Sequence, residues 1–232
     1  LKDTQQMAHK FESLIRTAPV AVWLEIVQGA TLRRLPVAFL DVLKTLRNRF
    51  PEKIALICDD MLSSIRCGEW CNMPSDLNPD VLIAGKSWAN GHPFSFFGIA
   101  PWVRNTAGDI LGTTSYGGNP IACANAAYTI AHIEDEELLQ HIRVCETKYA
   151  QVLDSEIGGK ASVVRSEWHG LLFGFEMINS EIALNTARSA AQAGLLVSQL
   201  GSVIRCTPQL DISYKLIDLG LDILIKAVDA NG

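Results

Sequence analysis

Lys86 and Asp59 are the residues of this chain best placed to do covalent chemistry. Each stands at the end of an apolar run: Ile54-Ala55-Leu56-Ile57-Cys58 leads into Asp59-Asp60, and Asp80-Val81-Leu82-Ile83-Ala84-Gly85 leads into Lys86. Such runs, closed by polar residues, read as buried parallel strands. In an open α/β sheet the carboxyl ends of the strands line the ligand crevice, so two strands would deliver an acid and an amine to one place. A lysine amine forms a Schiff base with an aldehyde, and an ionised aspartate keeps a pyridine nitrogen protonated. Pyridoxal 5'-phosphate carries both groups and is the cofactor this pairing suits. Singly, each residue has a plainer reading. Asp59 and Asp60 also fit a solvated loop acid or a helix N-cap, and Lys86 fits a surface lysine whose stem lies on apolar neighbours.

Two further places could bind anions. Thr113-Thr114-Ser115 puts three hydroxyls before the turn Tyr116-Gly117-Gly118-Asn119-Pro120 and a helix start, where backbone N–H groups attract negative charge; an ordinary turn and N-cap fits as well. Arg205 lies within the apolar strand Val203-Ile204-Arg205-Cys206, and an arginine there needs a planar partner, either a ligand carboxylate or an internal salt bridge. Gly85-Lys86-Ser87 imitates the end of a phosphate-binding loop, but Asp80 stands where that motif needs its first glycine. Nucleotide triphosphate chemistry is therefore disfavoured. No G-x-S-x-G elbow occurs, and the five histidines show no metal or triad spacing.

The elements that must carry these residues follow from periodicity and punctuation. A helix is expected over residues 3–16, then a strand Val20–Leu24, a helix opened by Pro36 and closed by Pro51, and the two strands above. Strand, helix and strand in that order imply a parallel sheet. Phe94–Ala100 reads as a further strand, 121–133 as an alanine-rich helix and 134–153 as another helix. Ser155 to Lys160, with two glycines, is the expected domain boundary. Beyond it come strands at 162–165, 171–177 and 202–206, a helix over 181–193 ended by Gly194, and a terminal helix over 213–228. The fold class is thus α/β: a mostly parallel sheet flanked by helices in 1–155, and a small C-terminal α/β domain in 156–232.

Composition narrows the class. With 232 residues and 48% hydrophobic side chains the chain can bury a core, and a net charge of −5 without basic clusters argues against a nucleic-acid partner. No apolar run has the length of a membrane span, and the first residues lack a signal-peptide layout, so a cytoplasmic protein is expected. Leu1 is not an initiator methionine, which points to processing, excision or expression of a piece. Six cysteines follow no disulfide pattern and are expected reduced; Cys67 and Cys71 are the close pair, with no second pair or histidine to complete a zinc set, and no metal is expected.

Taken together, these segments resemble the class III, ornithine/acetylornithine-like, pyridoxal-phosphate aminotransferases of fold type I. Glu25-Ile26-Val27-Gln28-Gly29 resembles E-P-x-Q-G, Ile57-Cys58-Asp59-Asp60-Met61-Leu62 resembles I-A-D-E-V-Q, and Pro79-Asp80 through Lys86 is similar to P-D-I-x-x-x-x-K. Ser115-Tyr116-Gly117-Gly118-Asn119-Pro120 resembles T-[FY]-G-G-N-P, and Ile204-Arg205-Cys206-Thr207-Pro208-Gln209-Leu210 resembles I-R-x-x-P-P-L. The resemblance implies a Schiff base at Lys86, a pyridine-nitrogen contact at Asp59, a phosphate contact from Thr114 or Ser115 across a homodimer interface, and a substrate carboxylate on Arg205. It also implies an amino donor, a keto or aldehyde acceptor, and a longer N-terminal part, on this or a second chain, that completes the cofactor pocket. Leu62 stands where the family has a glutamine near the cofactor's phenolic oxygen, leaving Ser63 or Ser64 to replace that hydrogen bond. Two functions are carried forward: transamination, or a catalytically impaired homologue serving as an interaction module or as one part of a split enzyme.

Overall fold

Prolines and apolar spacing set the first elements. Lys2–Thr17 (α1) ends before Pro19, Val20–Leu24 (β1) follows, and Val37–Arg49 (α2) starts directly after Pro36, whose fixed φ suits that entry. Leu40, Leu43 and Leu46 form the buried stripe of α2, and Phe39 meets Phe11 of α1 edge-on at 6.3 Å between ring centroids. Ile54–Asp59 (β2), Val81–Gly85 (β3) and Ser95–Ile99 (β4) complete a sheet of order β1-β2-β3-β4. The first three strands run parallel and β4 closes the sheet antiparallel, so the sheet is mostly parallel. The computed structural model describes residues 2–107 and 114–232; Leu1 and Thr113 lie outside the described residues. No helix among those described is long and apolar enough to cross a membrane.

Asp80 ties the strands together at their starts. Its buried carboxylate accepts the Leu56 N–H at 2.8 Å, the Arg47 guanidinium at 2.7 Å and the Trp102 indole N–H at 2.9 Å, while its own N–H donates to the Leu56 carbonyl at 2.8 Å. The continuous apolar runs predict strands buried on both faces, and this is only half correct. Ile54, Leu56 and Cys58 are buried, but the pleat sends Ala55, Ile57 and Asp59 to a face that stays open around Trp23, 63% exposed, and Phe97, 53% exposed.

Pro101–Ala107 (α3), Pro120–Asp135 (α4) and Leu138–Val152 (α5) follow, and α5 continues into a π-helical turn, Leu153–Gly158. A second sheet, Val163–His169 (β5), Leu172–Met177 (β6), Ser198–Leu200 (β7) and Val203–Cys206 (β8), is antiparallel throughout in the order β5-β6-β8-β7. Ser180–Gln192 (α6), capped by the Asn179 side chain on the Ile182 N–H, and Tyr214–Asp229 (α7) accompany it.

The chain divides into two compact units: Leu1–Val27, Arg34–Leu62 and Cys71–Thr129 in the first, and Gln28–Arg33, Ser63–Trp70 and Ile130–Gly232 in the second. This division does not coincide with the boundary read at residue 155. Leu153 and Ile157 are fully buried there, and Tyr149 of α5 stacks on Phe173 of β6 at 4.3 Å, so α5 and its π-turn belong to the second unit's core. The excursion 28–33 is held by the second sheet. Arg165 donates to the Thr31 carbonyl at 2.6 Å, His169 to that of Leu32 at 2.9 Å and Arg205 to that of Gly29 at 2.5 Å.

Candidate active site

Asp59 and Lys86 stand at the carboxyl ends of adjacent parallel strands. Asp59 is the last residue of β2 and pairs with Ile83 of β3; Lys86 follows β3 directly. The pleat turns Asp59 to the open face, one strand from Trp23, and the Trp23 indole N–H donates to Oδ2 at 3.2 Å while the Met61 backbone N–H donates to Oδ1 at 3.3 Å. Asp60 faces the other way. It is buried, and its carboxylate accepts the backbone N–H of Asn72 at 2.7 Å and the side-chain amide at 3.0 Å, which makes it a structural residue.

Lys86 opens a one-turn 3₁₀ helix, Lys86–Ala89, with φ of 52°, a left-handed conformation costing about 1–2 kcal/mol for a non-glycine residue. Buried Trp88, edge-on to Phe96 at 4.9 Å, anchors the turn from below. The approach to it is tight: a Cβ on Gly85 would lie 2.6 Å from the Phe94 carbonyl oxygen and 2.7 Å from Met61 Sδ. Strain held in place by close packing is a mark of a positioned residue. The Lys86 side chain is exposed and makes no hydrogen bond or ion pair among the described residues. Beside it, Ser87 Oγ is buried without a partner.

Thr114 and Ser115 occupy an exposed turn whose Gly118 has φ of 70°. Thr114 Oγ1 accepts the Tyr116 N–H at 3.3 Å, and Asn119 Oδ1 accepts the N–H groups of Ile121 and Ala122 at 3.0 and 3.2 Å. Asn119 thus occupies two donors of the α4 N-terminus, which leaves the Thr114 and Ser115 hydroxyls, rather than that helix end, for an anion. No hydrogen bond joins this turn to Asp59 or Lys86 among the described residues. Ser63 and Ser64, the residues that follow Leu62, are buried, at 1% and 0% exposure.

In the second unit, Arg205 sits on β8 between Gly174 and Ser198 and lines a cleft with Phe173, Val197, Ser198, Thr207 and Pro208. One guanidinium nitrogen holds the Gly29 carbonyl, and Nε is buried without a partner. Arg66 was not singled out by sequence. It donates to the Pro208 carbonyl at 2.6 Å, and burial first, then the nearby Arg205 charge, lowers its pKa. Neither arginine pairs with a carboxylate among the described residues, so the internal salt bridge weighed for Arg205 is not formed there.

One set of metal-ligating residue types converges among the described residues, Cys58, Asp60 and Cys71, through a cysteine pairing that sequence spacing did not reveal. Trp23 was also missed. The strand alternation that puts Trp23 and Ile57 on one face carried that information, but only once β1 and β2 are known to be neighbours.

Comparison with known proteins accords with this geometry. The profile of the class-III aminotransferases matches residues 2–228. The chain is 30% identical over 219 residues to the mitochondrial acetylornithine aminotransferase of Debaryomyces hansenii, covering 90% of this chain and 46% of that protein. It is 32% identical over 214 residues to acetylornithine aminotransferase 1 of Bordetella parapertussis, covering 90% and 53%. It therefore spans about half the length of these curated relatives. Among solved structures, a transaminase from the marine bacterium Virgibacillus superposes with a TM-score of 0.85 at 20% identity, over 98% of this chain and 57% of that one, which shows the shared fold. With a profile match along nearly its whole length and two strand ends carrying the acid and the amine, the chain belongs to the class-III aminotransferase family.

Proposed function

We propose that this chain is the C-terminal part of a pyridoxal-phosphate-dependent aminotransferase, which moves an amino group between an amino acid or amine and a keto or aldehyde acceptor. The observation that carries the reading is the delivery of Asp59 and Lys86 by adjacent parallel strands to one sheet edge. The donor set suits the cofactor: an unpaired amine for its aldehyde, a carboxylate held on an open face for its ring nitrogen, and an orphaned buried hydroxyl, Ser87 Oγ, beside the amine. When bound, the cofactor supplies an electron sink for the charge left on the substrate's Cα.

Each residue then has a distinct task. Lys86 would hold the cofactor at its aldehyde through Nζ, and its freed amine would take the proton from the substrate's Cα and carry it to the former aldehyde carbon. Asp59, kept in place by Trp23 and Met61, would hold the ring nitrogen in its protonated form. Arg205 donates to the substrate carboxylate, in keeping with its unpartnered Nε and the second cation at Arg66. Thr114 and Ser115 serve the phosphate of a neighbouring subunit. A homodimer is supported by the exposed apolar side chains around that turn, with Tyr116 85%, Ile121 62% and Tyr128 69% exposed. The remainder of the large domain, on the same polypeptide or a second chain, covers the open face around Trp23 and Phe97, and six free cysteines support a reducing, cytoplasmic setting.

Leu62 favours a second reading, an impaired homologue acting as an interaction module or as one part of a split enzyme, because an apolar side chain stands where the resemblance puts an amide. Addition of pyridoxal phosphate to the purified chain, alone and co-expressed with its upstream region, separates the two. A visible absorbance band that shifts on adding an amino acid supports the enzyme. Absence of any band in both preparations overturns it.

A further inference from the structure

Cys58 lies on the buried face of β2, one residue before Asp59, and is fully buried; Cys71 lies at the end of the following loop and is half-buried. Their two Sγ atoms and a carboxylate oxygen of Asp60 all lie within 4.8 Å of one another. Asn72, next to Cys71, ties the loop to the strand with three hydrogen bonds to the Asp60 carboxylate, at 2.7, 3.0 and 3.3 Å. The clamp that fixes Asp60 therefore also fixes the two thiols face to face. The two thiols differ in access. A half-exposed thiol held beside a fully buried one is the arrangement of an attacking and a resolving cysteine. Cys145 and Cys206 are both buried and present no accessible thiol.

We propose that Cys71 and Cys58 form a redox-active dithiol that exchanges with a low-molecular-weight disulfide such as oxidised glutathione. The Cys71 thiolate attacks one sulfur, the S–S bond breaks, and one small thiol leaves after taking up a proton. Cys58 then attacks the Cys71 sulfur of the mixed disulfide; its proton goes to the second departing thiolate. Two protein thiols are oxidised to one disulfide, and one small disulfide is reduced to two thiols. The new bond pulls on the residue that precedes Asp59, so the oxidation state is felt at the end of β2.

The test is equilibration of the purified chain with graded mixtures of reduced and oxidised glutathione, followed by acid quench, alkylation and non-reducing peptide mapping. The wild type should lose two thiols together and yield a Cys58–Cys71 linked peptide, while Cys58→Ser should stop at a glutathione adduct on Cys71. Because the wild-type map stands alone, a poorly folded variant does not decide the matter. A stable adduct on wild-type Cys71, a Cys67–Cys71 link, or adducts confined to exposed Cys123 would overturn the proposal. So would protection of both thiols by zinc alone with no disulfide formed in its absence, which would make the cluster a thiophilic metal site.

Discussion

The indole N–H of Trp23 reaches Asp59 Oδ2 at 3.2 Å from the neighbouring strand β1, while the Met61 N–H holds Oδ1 at 3.3 Å. The carboxylate is thus steered from both oxygens, yet both bonds are long for a charged acceptor, and lone pairs stay available on an open sheet face. A fixed, under-satisfied carboxylate suits a protonated ring nitrogen. Trp23→Phe should remove one steering bond, worth about 1 kcal/mol, and weaken cofactor retention about fivefold. Asp59→Asn should instead keep most of the cofactor and lower kcat by about two orders of magnitude or more, because a neutral amide does not hold the ring proton. Equal, small effects of both substitutions on kcat and on cofactor binding would speak against a catalytic Asp59.

Arg205 is expected to distinguish carboxylated from uncarboxylated donors. Arg205→Lys keeps the charge and loses the planar fork, so kcat/KM for amino acids should fall by about tenfold to a hundredfold, the equivalent of about 1.5–3 kcal/mol for a charge-assisted bond. Simple amines should be affected far less. Matching losses for both would mean that the hold on the Gly29 carbonyl, and not substrate binding, is what Arg205 contributes.

The Arg47–Asp80 pair carries stability. Arg47 also donates to the carbonyls of Leu77 and Asn78, at 2.5 and 2.6 Å, and Asp80 joins β2, β3 and α3. Arg47→Met should leave a buried carboxylate without its cation and cost about 3–5 kcal/mol, read as a lower denaturation midpoint. A cost below about 1 kcal/mol would show that the Trp102 and Leu56 donors suffice.

Much of this was legible in the chain because local chemistry carried it. Pro36, Gly194 and the apolar runs ending at Asp59 and Lys86 mark elements that depend on a few neighbours in sequence, and the parallel pairing of β1 with β2 follows from the helix between them. What stayed hidden depends on distant partners. Loop 28–33 is tied to the second unit by Arg165, His169 and Arg205, and Cys71 lies beside Cys58 where Asn72 docks on Asp60. β7 is three residues long, too short for an alternation to register. The glycines at 158 and 159 looked like a linker, but Leu153 and Ile157 are buried beside them, so burial and not the glycines decides where that segment belongs.

The central claim is that Lys86 is the lysine that bonds the cofactor, and borohydride reduction of the pyridoxal-phosphate-loaded protein followed by peptide mapping tests it most directly. The account predicts a single phosphopyridoxyl label on the peptide carrying Lys86 and loss of the visible band in Lys86→Ala. A label on any other lysine, or an unchanged band in Lys86→Ala, would contradict it.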